Sequence, residues 1–396
     1  MKFRLLVLLL AVYALGRLQY AAAQSFDPFV DPPLPQQAGY FDQDSHAMPT
    51  AEYIPWSRPQ SQPAPAPYQE AAYPLPEDPQ TELFQEEMYF LEELDEKPKR
   101  KGADIPKRDP FQAHAYWAPQ QNLRGQDGDF AMNGFITKLM LPISIQEGRI
   151  WAANITYDQL NIDSDAFLPD TGIPLPDNFY QLNFGVTHIR TLDNGWQAGG
   201  NLTIGTATNK PFDNIDDMTM SGLAFVNIPW NNERDAWNLS LFYSPTSQLP
   251  FPLPGVAYLW RPSEQFEMNI GVPFALKYRP TERRTFSFTY TPLTNVNVLL
   301  EQELGANLVA YGGYSVNNKI YLLSERTDND DRFYFFDQRL TIGLKRQLPW
   351  GLSADLSAAY LFDRKVFQAQ GFSSDRTDEF GIDPGGLISF SLSWSR

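Results

Sequence analysis

The stretch Phe135-Ile136-Thr137-Lys138-Leu139-Met140-Leu141-Pro142-Ile143-Ser144-Ile145 decides the fold. An extended chain points successive side chains to opposite faces. Phe135, Thr137, Leu139, Leu141, Ile143 and Ile145 therefore share one face, and Lys138, Met140 and Ser144 the other. Gln146 to Arg149 turns the chain; Trp151, Ala153, Ile155 and Tyr157 then resume the apolar face, with Asn154, Thr156 and Asp158 opposite. The same grammar returns in Tyr180, Leu182, Phe184 and Val186 against Gln181, Asn183 and Thr187. After Asp193-Asn194-Gly195 it returns again in Trp196, Ala198, Leu202 and Ile204 against Gln197, Asn201 and Thr203. Further strands of this kind are expected at 237–243, 256–260, 266–270, 286–290, 296–300, 340–344, 352–360 and 388–394, with an earlier one near 113–117.

Connections alternate too. Short turns are expected at 146–149, 193–195, 231–235, 263–265, 281–283 and 347–351, and long loops at 163–177, 208–217, 245–254, 324–331 and 364–384. Transmembrane β-barrels pair short periplasmic turns with long outer loops and carry aromatic girdles at the membrane interfaces. Seven of the nine tryptophans, Trp151, Trp196, Trp230, Trp237, Trp260, Trp350 and Trp394, fall on the short-turn side. Tryptophan suits that interface because its ring is buried while its N–H stays wet. A soluble β-sandwich also alternates, but gives tryptophans no reason to mark one end. The chain thus reads as all-β, a transmembrane antiparallel up-and-down barrel. Single-chain bacterial barrels have even strand numbers, and about 14 strands are expected, within 12–16.

The start of the chain reads differently. Lys2 and Arg4, an apolar run from Leu5 to Leu15 and Ala21-Ala22-Ala23 form a secretory signal over residues 1–23, too short to span a bilayer. Residues 24–110 hold 16 of the 33 prolines, a density that predicts an extended, disordered periplasmic linker. Within it, the spacing of Leu83, Phe84, Met88, Leu91 and Leu94 predicts a helix over 81–96. The barrel occupies 111–396, its first strand beginning between 111 and 133. The chain has no cysteine, so disulfides and thiol chemistry are excluded. A mean hydropathy of -0.38 says nothing against a barrel, whose strands hide their apolarity in alternation. A net charge of -16 argues against nucleic acid, whose phosphates need a basic surface.

Pro250-Phe251-Pro252-Leu253-Pro254-Gly255, the Tyr258-to-Pro262 turn, Gly271-Val272-Pro273, the Tyr278-Arg279-Pro280 turn and the closing Gly351-to-Phe362 strand give the chain its resemblance. Over roughly residues 130–396 it resembles a family of uncharacterised, porin-like bacterial outer-membrane barrels known only as a domain of unknown function. The resemblance implies fold and compartment, the bacterial outer membrane, and no substrate or active-site residue. For a barrel in that compartment the expected partners are outer-membrane lipids, lipopolysaccharide and the barrel-assembly machinery. That machinery reads a terminal aromatic in many barrels; here the chain ends Ser393-Trp394-Ser395-Arg396.

Catalysis is not expected. Of three histidines, His46 and His114 fall in or near the linker, and His188 shares the lipid-facing parity near a short turn. No triad, phosphate loop or metal-spaced His/Cys set appears, and no cofactor is expected. The acidic groups Asp213, Asp216 and Asp217, then Asp328, Asp330 and Asp331, then Asp375, Asp378 and Glu379 read as solvated loops, with calcium or magnesium bridging to lipopolysaccharide phosphates as the alternative for such oxygen-rich clusters.

The inward parity collects Lys138, Asn154, Asp158, Asn183, Asn201, Lys277, Arg279, Glu301, Arg339, Lys345 and Asp355. Isolated charges in a dry interior are costly, so such a lining is hydrated or internally paired. The leading expectation is a passive outer-membrane channel for small polar solutes. The alternative is a non-conducting structural or adhesive envelope barrel whose linker, residues 24–110, reaches the cell wall.

Overall fold

A computed structural model describes residues 110–396 apart from 232–233, 247–250, 292–294, 306, 327, 372–374 and 396. The secretory signal, the linker up to residue 109 and the helix expected over 81–96 lie outside the described residues. The strands are β1 (Phe111–Arg124), β2 (Asp129–Gln146), β3 (Arg149–Ser164), β4 (Asn178–Thr191), β5 (Gln197–Thr208), β6 (Met218–Trp230), β7 (Asp235–Tyr243), β8 (Leu253–Ser263) and β9 (Phe266–Gly271). They continue with β10 (Phe274–Thr281), β11 (Arg284–Thr291), β12 (Asn295–Gly305), β13 (Leu308–Tyr321), β14 (Arg332–Gln347), β15 (Leu352–Ala369), β16 (Thr377–Ile382) and β17 (Gly385–Trp394).

Each strand pairs antiparallel with the next, and β1 closes the ring on β17, with Phe111 opposite Trp394 and Trp117 opposite Ile388. Closure leaves no strand edge, which lets a sheet cross lipid with its backbone groups paired. Sixteen strands form the ring, rather than about 14. The short β16 stands end to end with β17 between the same neighbours, β15 and β1. The count rises because 111–124 is a full strand and β6, β10 and β13 add to the strands expected from alternation, so that the stretch 253–291 holds four short ones. Arg261-Pro262 and Arg279-Pro280 end two of these four in the same way: the ladders shift between Trp260 and Ser263 and between Tyr278 and Thr281, where proline offers no N–H. The loop expected over 364–384 is shorter, because β15 runs on to Ala369 and β16 follows it.

Alternation sorts the two faces. In β4, Phe179, Gln181, Asn183, Thr187 and Ile189 are buried, while Phe184 between them is 51% exposed. The seven tryptophans lie at the short-turn end, where Trp394 Nε1 donates to Trp350 O at 3.1 Å. A second aromatic set, Trp117, Tyr157, Tyr243, Tyr290, Tyr314 and Tyr360, occupies outward positions higher up the wall. Tyr157 lies eight residues above Arg149 and Tyr360 eight above Leu352. Eight residues are about 26 Å of strand, roughly 20 Å along the axis at the usual tilt, close to the ~25 Å apolar band of such barrels. Above it the outward positions turn polar: Tyr157 Oη donates to Gln159, Gln159 to Asn161, and Asn161 to Asn133, at 2.9, 2.7 and 2.8 Å.

The tall strands outgrow the bilayer and bend. The β1–β2 ladder shifts between Ala118 and Gln121, the β14–β15 ladder shifts between Phe336 and Gln338, and β16 and β17 are separated at Asp383-Pro384. Asp363 of β15 has φ 47, a left-handed backbone for which Asp is one of the more tolerant residues. These irregularities face one another across the ladders, so a crease runs through β14, β15, the β16–β17 junction and β1, as bulges bend strands. Arg364, buried just above it, donates to Gln121 Oε1 at 2.7 Å and stands over the Phe130 ring.

Above the crease β13 reaches the far wall. Thr208 of β5 forms a parallel bridge with Leu322, and Leu322 N donates to Ala207 O at 2.7 Å. In the ring β5 and β13 are eight strands apart in either direction, so this contact crosses the mouth. It converts the outer end into a smaller closure running from β13 through β14, β15, β16 and β1 to β5. That closure is filled by Phe130, Leu160, Phe179, Tyr321, Phe333, Phe335, Leu361, Val366 and Phe380, with Leu168 and Leu175 from the β3–β4 connection laid over them. Phe179 stacks on Phe333 at 5.5 Å and meets Phe335 edge-on at 5.1 Å, geometries that aromatic pairs favour.

Two substitutions separate the wall from this core. Ile342 of β14, 70% exposed on the outer face, should lose about 2–4 kcal/mol when changed to Lys if it lies near the bilayer midplane. Phe333→Ala should lose about 3–5 kcal/mol through the cavity it leaves. Urea unfolding from lipid vesicles, followed by tryptophan fluorescence, measures both; a loss below about 1 kcal/mol for Ile342→Lys would put that face outside the lipid.

Candidate functional site

The polar inner face sits at the short-turn half, below the apolar core. On β3, β4 and β5, Asn154 Nδ2 and Asn201 Nδ2 both donate to Thr187 Oγ1, at 2.6 and 2.9 Å, and Thr203 Oγ1 donates to Asn201 Oδ1 at 2.7 Å. Asn183 lies buried on the same inner face. On the other side of the ring, Lys345 and Asp355 are paired in register, and Tyr311 Oη donates to Asp355 Oδ1 at 2.8 Å. Arg339 donates to Asp337 two residues earlier, at 2.5 Å. Lys138 occupies an inner position of β2, Lys277 and Arg279 inner positions of β10, and Glu301 an inner position of β12, with β11 between the last two strands.

Asp158 has the most consequential partner. Lys319 Nζ, on β13, reaches across to Asp158 Oδ2 at 2.5 Å and to Tyr116 Oη at 3.2 Å. Asp158 and Lys319 are both almost wholly buried, and β3 and β13 are six strands apart by the shorter way round. The pair marks the level where polar lining gives way to apolar core. A charge is tolerated in such a place only when paired and hydrogen-bonded.

Three further contacts hold the crossing hairpin at its tip. Ser324 N donates to Asn209 Oδ1 at 2.9 Å, Lys210 Nζ to Glu325 Oε1 at 2.6 Å, and Arg326 Nη1 to Asp217 Oδ1 at 2.5 Å. The hydrogen bond between Lys210 and Glu325 raises the ammonium pKa and lowers the carboxyl pKa; both groups are at the surface, so water screens the attraction. On the other face of the hairpin, Arg332 Nε and Nη2 donate to Pro245 O at 2.9 and 2.8 Å, tying it to the β7–β8 connection. Asp378 fastens the β3–β4 connection by accepting from the N–H groups of Asp170 and Thr171 at 2.8 and 2.9 Å.

His114, expected in or near the linker and within the strand expected near 113–117, lies in β1, facing inward, with Nδ1 2.7 Å from Ser391 Oγ. His188 stacks on Trp151 at 4.0 Å on the outer face. Asp217 and Asp378 are not solvated but buried and partnered, because the loop carrying Asp217 folds onto Arg326 of the crossing hairpin and Asp378, at the start of β16, lies against Gln368 and the β3–β4 connection. Among the described residues no group of three or more His, Cys, Asp or Glu is placed to hold a metal. Sequence reasoning passed over Lys319, Asp337 and Tyr311. Their signal was present in the alternation Tyr311, Gly313, Ser315, Asn317, Lys319, Tyr321.

A closed ring with an apolar outer belt and a part-polar interior defines an outer-membrane-type β-barrel. Residues 131–360, more than half of the chain, match Domain of unknown function (DUF6268), and the chain belongs to that family. No curated protein matches the sequence. Among solved structures the chain is similar to an outer membrane channel from Pseudomonas putida F1, at 10% identity and TM-score 0.31, covering 75% of this chain and 100% of that one. It is similar to a Pseudomonas aeruginosa FadL homologue, at 10% identity and TM-score 0.32, covering 72% and 89%. It is also similar to the β domain of the Bordetella autotransporter BrkA, at 12% identity and TM-score 0.26, covering 72% and 98%.

Removing one member of the buried pair strands the other. Lys319→Met should cost about 3–5 kcal/mol, whereas Lys319→Met with Asp158→Leu should recover most of that loss. A double-mutant cycle on unfolding free energies reads the coupling; a double variant as unstable as the sum of the singles would show that the pair does not couple the two walls.

Proposed function

We propose that this protein is a non-catalytic channel of the bacterial outer membrane, passing small polar solutes, in a state whose outer mouth is closed. The observation that carries this is the division of the interior. The bilayer-spanning half has sixteen-strand girth and an inner face rich in Asn, Thr, Ser and charged residues, with Ile189, Leu223, Phe225 and Leu259 among them, and the large aromatic cluster lies at the long-loop end. Eight-stranded barrels fill with side chains, whereas 16 to 18 strands leave room for water. Buried polar atoms in this half, Asn154 Oδ1, Asn183 Nδ2, Asn227 Oδ1 and Ser353 Oγ among them, have no protein partner, which suits a hydrated interior. Partners in this reading are outer-membrane lipids, lipopolysaccharide and the assembly machinery that inserts barrels.

A second reading, a structural barrel that does not conduct, is favoured by the internal pairing of Arg339 with Asp337 and of Lys319 with Asp158. In that reading residues 24–110, whose proline content would let them reach on the order of 200 Å if extended, anchor the envelope.

Refolded into planar bilayers, the full chain should give discrete conductance steps. Changing both Lys277 and Arg279 to Gln should move the reversal potential in a potassium chloride gradient towards that of potassium, because two inward cations are removed. An unchanged reversal potential would show that ions do not pass this face, and silence from a folded barrel would favour the structural reading.

A further inference from the structure

We propose that the tops of β13, β14 and β15 are the channel's gate, hinged on the crease and opening along the seam between residues 322–326 and the β5–β6 connection. The proposal rests on the channel reading above and names how that same path is regulated.

The first observation is the inequality of the ladders. β13 and β14 share fourteen paired positions and β4 and β5 twelve. Where β13 meets β5 there is one bridge, Thr208 with Leu322. A closure that depends on one bridge and a few side chains is the line along which the outer end parts first, since local opening follows the fewest cooperative contacts. The second observation is the crease. The irregularities at 118–121, 336–338, 363 and 383–384 lie side by side, so the wall above them can tilt as a unit without breaking the ring below. The third is the wetness of the seam. The ion pair of Lys210 and Glu325 is exposed, and a cleft of about 250 Å³ lies along the seam. It is lined from the fixed rim by Asp170, Thr171 and Asn209 and from the hairpin by Leu323, Glu325 and Arg326. Water therefore already reaches both sides of the joint.

The inner latch works differently from the seam. Lys319, Asp158 and Tyr116 join β13 to β3 and β1 below the apolar core. Phe179, Tyr321, Phe333 and Phe335 weld the two walls above it. Tilting the hairpin outwards draws Lys319 from Asp158 and parts the aromatic cluster, so the closed state predominates and opening is intermittent. Released, the same charges stand on a polar, water-filled path.

The chain contains no cysteine, so a pair introduced as Thr208→Cys and Leu322→Cys is its only thiol pair. Conductance of this full-length variant in planar bilayers should be lost on oxidation and return on reduction. Lys210→Glu, which sets a like charge against the exposed Glu325, should raise the open probability roughly two- to fivefold, the scale of surface charge pairs. Spin labels on Asp213→Cys and Asn329→Cys, which leave Glu325 in place, should show a second, longer distance in that background. If the oxidised chain, with the cross-link verified by mass, conducts like the reduced one, the gate is overturned and the channel stands. If no variant conducts while the labels separate, the hinge stands and the channel reading falls. If no variant conducts and the labels keep one short distance, both fall.

Discussion

Hydrogen-bond closure of the sheet is the constraint on which everything else depends. In hydrocarbon no water can pair with a free N–H or C=O, so the wall must end where it began. The pairing of β1 with β17 does this, from Phe111 opposite Trp394 to Trp117 opposite Ile388. Once the ring is closed, side-chain parity has only two destinations, lipid and interior. The exposed Leu, Ile, Val and Phe of the outer face and the amide and hydroxyl pairs of the inner face follow from that one fact.

The closed ring then presents a second problem at its outer end. Strands such as β2 and β15, with 18 residues each, are taller than an apolar band needs, while β9 has only 6. The wall is uneven, and its tall side cannot stand free in water with apolar residues on its inner face. It folds across the mouth instead, and burial of Phe179, Tyr321, Phe333 and Phe335 supplies the driving force. The bend concentrates at bulges because a regular ladder resists it. One sheet thus has two regimes, a wide polar ring in the membrane and a narrow apolar closure above it. The buried pair of Lys319 and Asp158 stands at the boundary.

Much of this architecture was legible in residues whose meaning is local. Alternation placed Lys138, Asn154, Asp158 and Asp355 on one parity, and turn and loop lengths alternated along the chain. The count of strands was harder, because β8 to β11 are short and two of them, β8 and β10, end on Arg-Pro bulges, where alternation breaks. Two aspects of the interior were hidden. Phe130, Leu160 and Phe179 share a parity with Lys138, Asp158 and Asn183, so nothing in the pattern said that the same face would be polar below and apolar above. Nor could it show that Asp217, in an acidic loop, would be buried against Arg326 109 residues away.

What the sequence by itself determined was class and polarity: an all-β wall, one face for lipid, and tryptophans at the short-turn end, because period-two alternation and interfacial preference act through each residue's own side chain. What only the tertiary structure decided was the state of the mouth. Whether strand 13 stays in the wall or crosses to strand 5 depends on the heights of strands far apart in the chain and on contacts made only after the ring has closed. Neither is a property of any single segment.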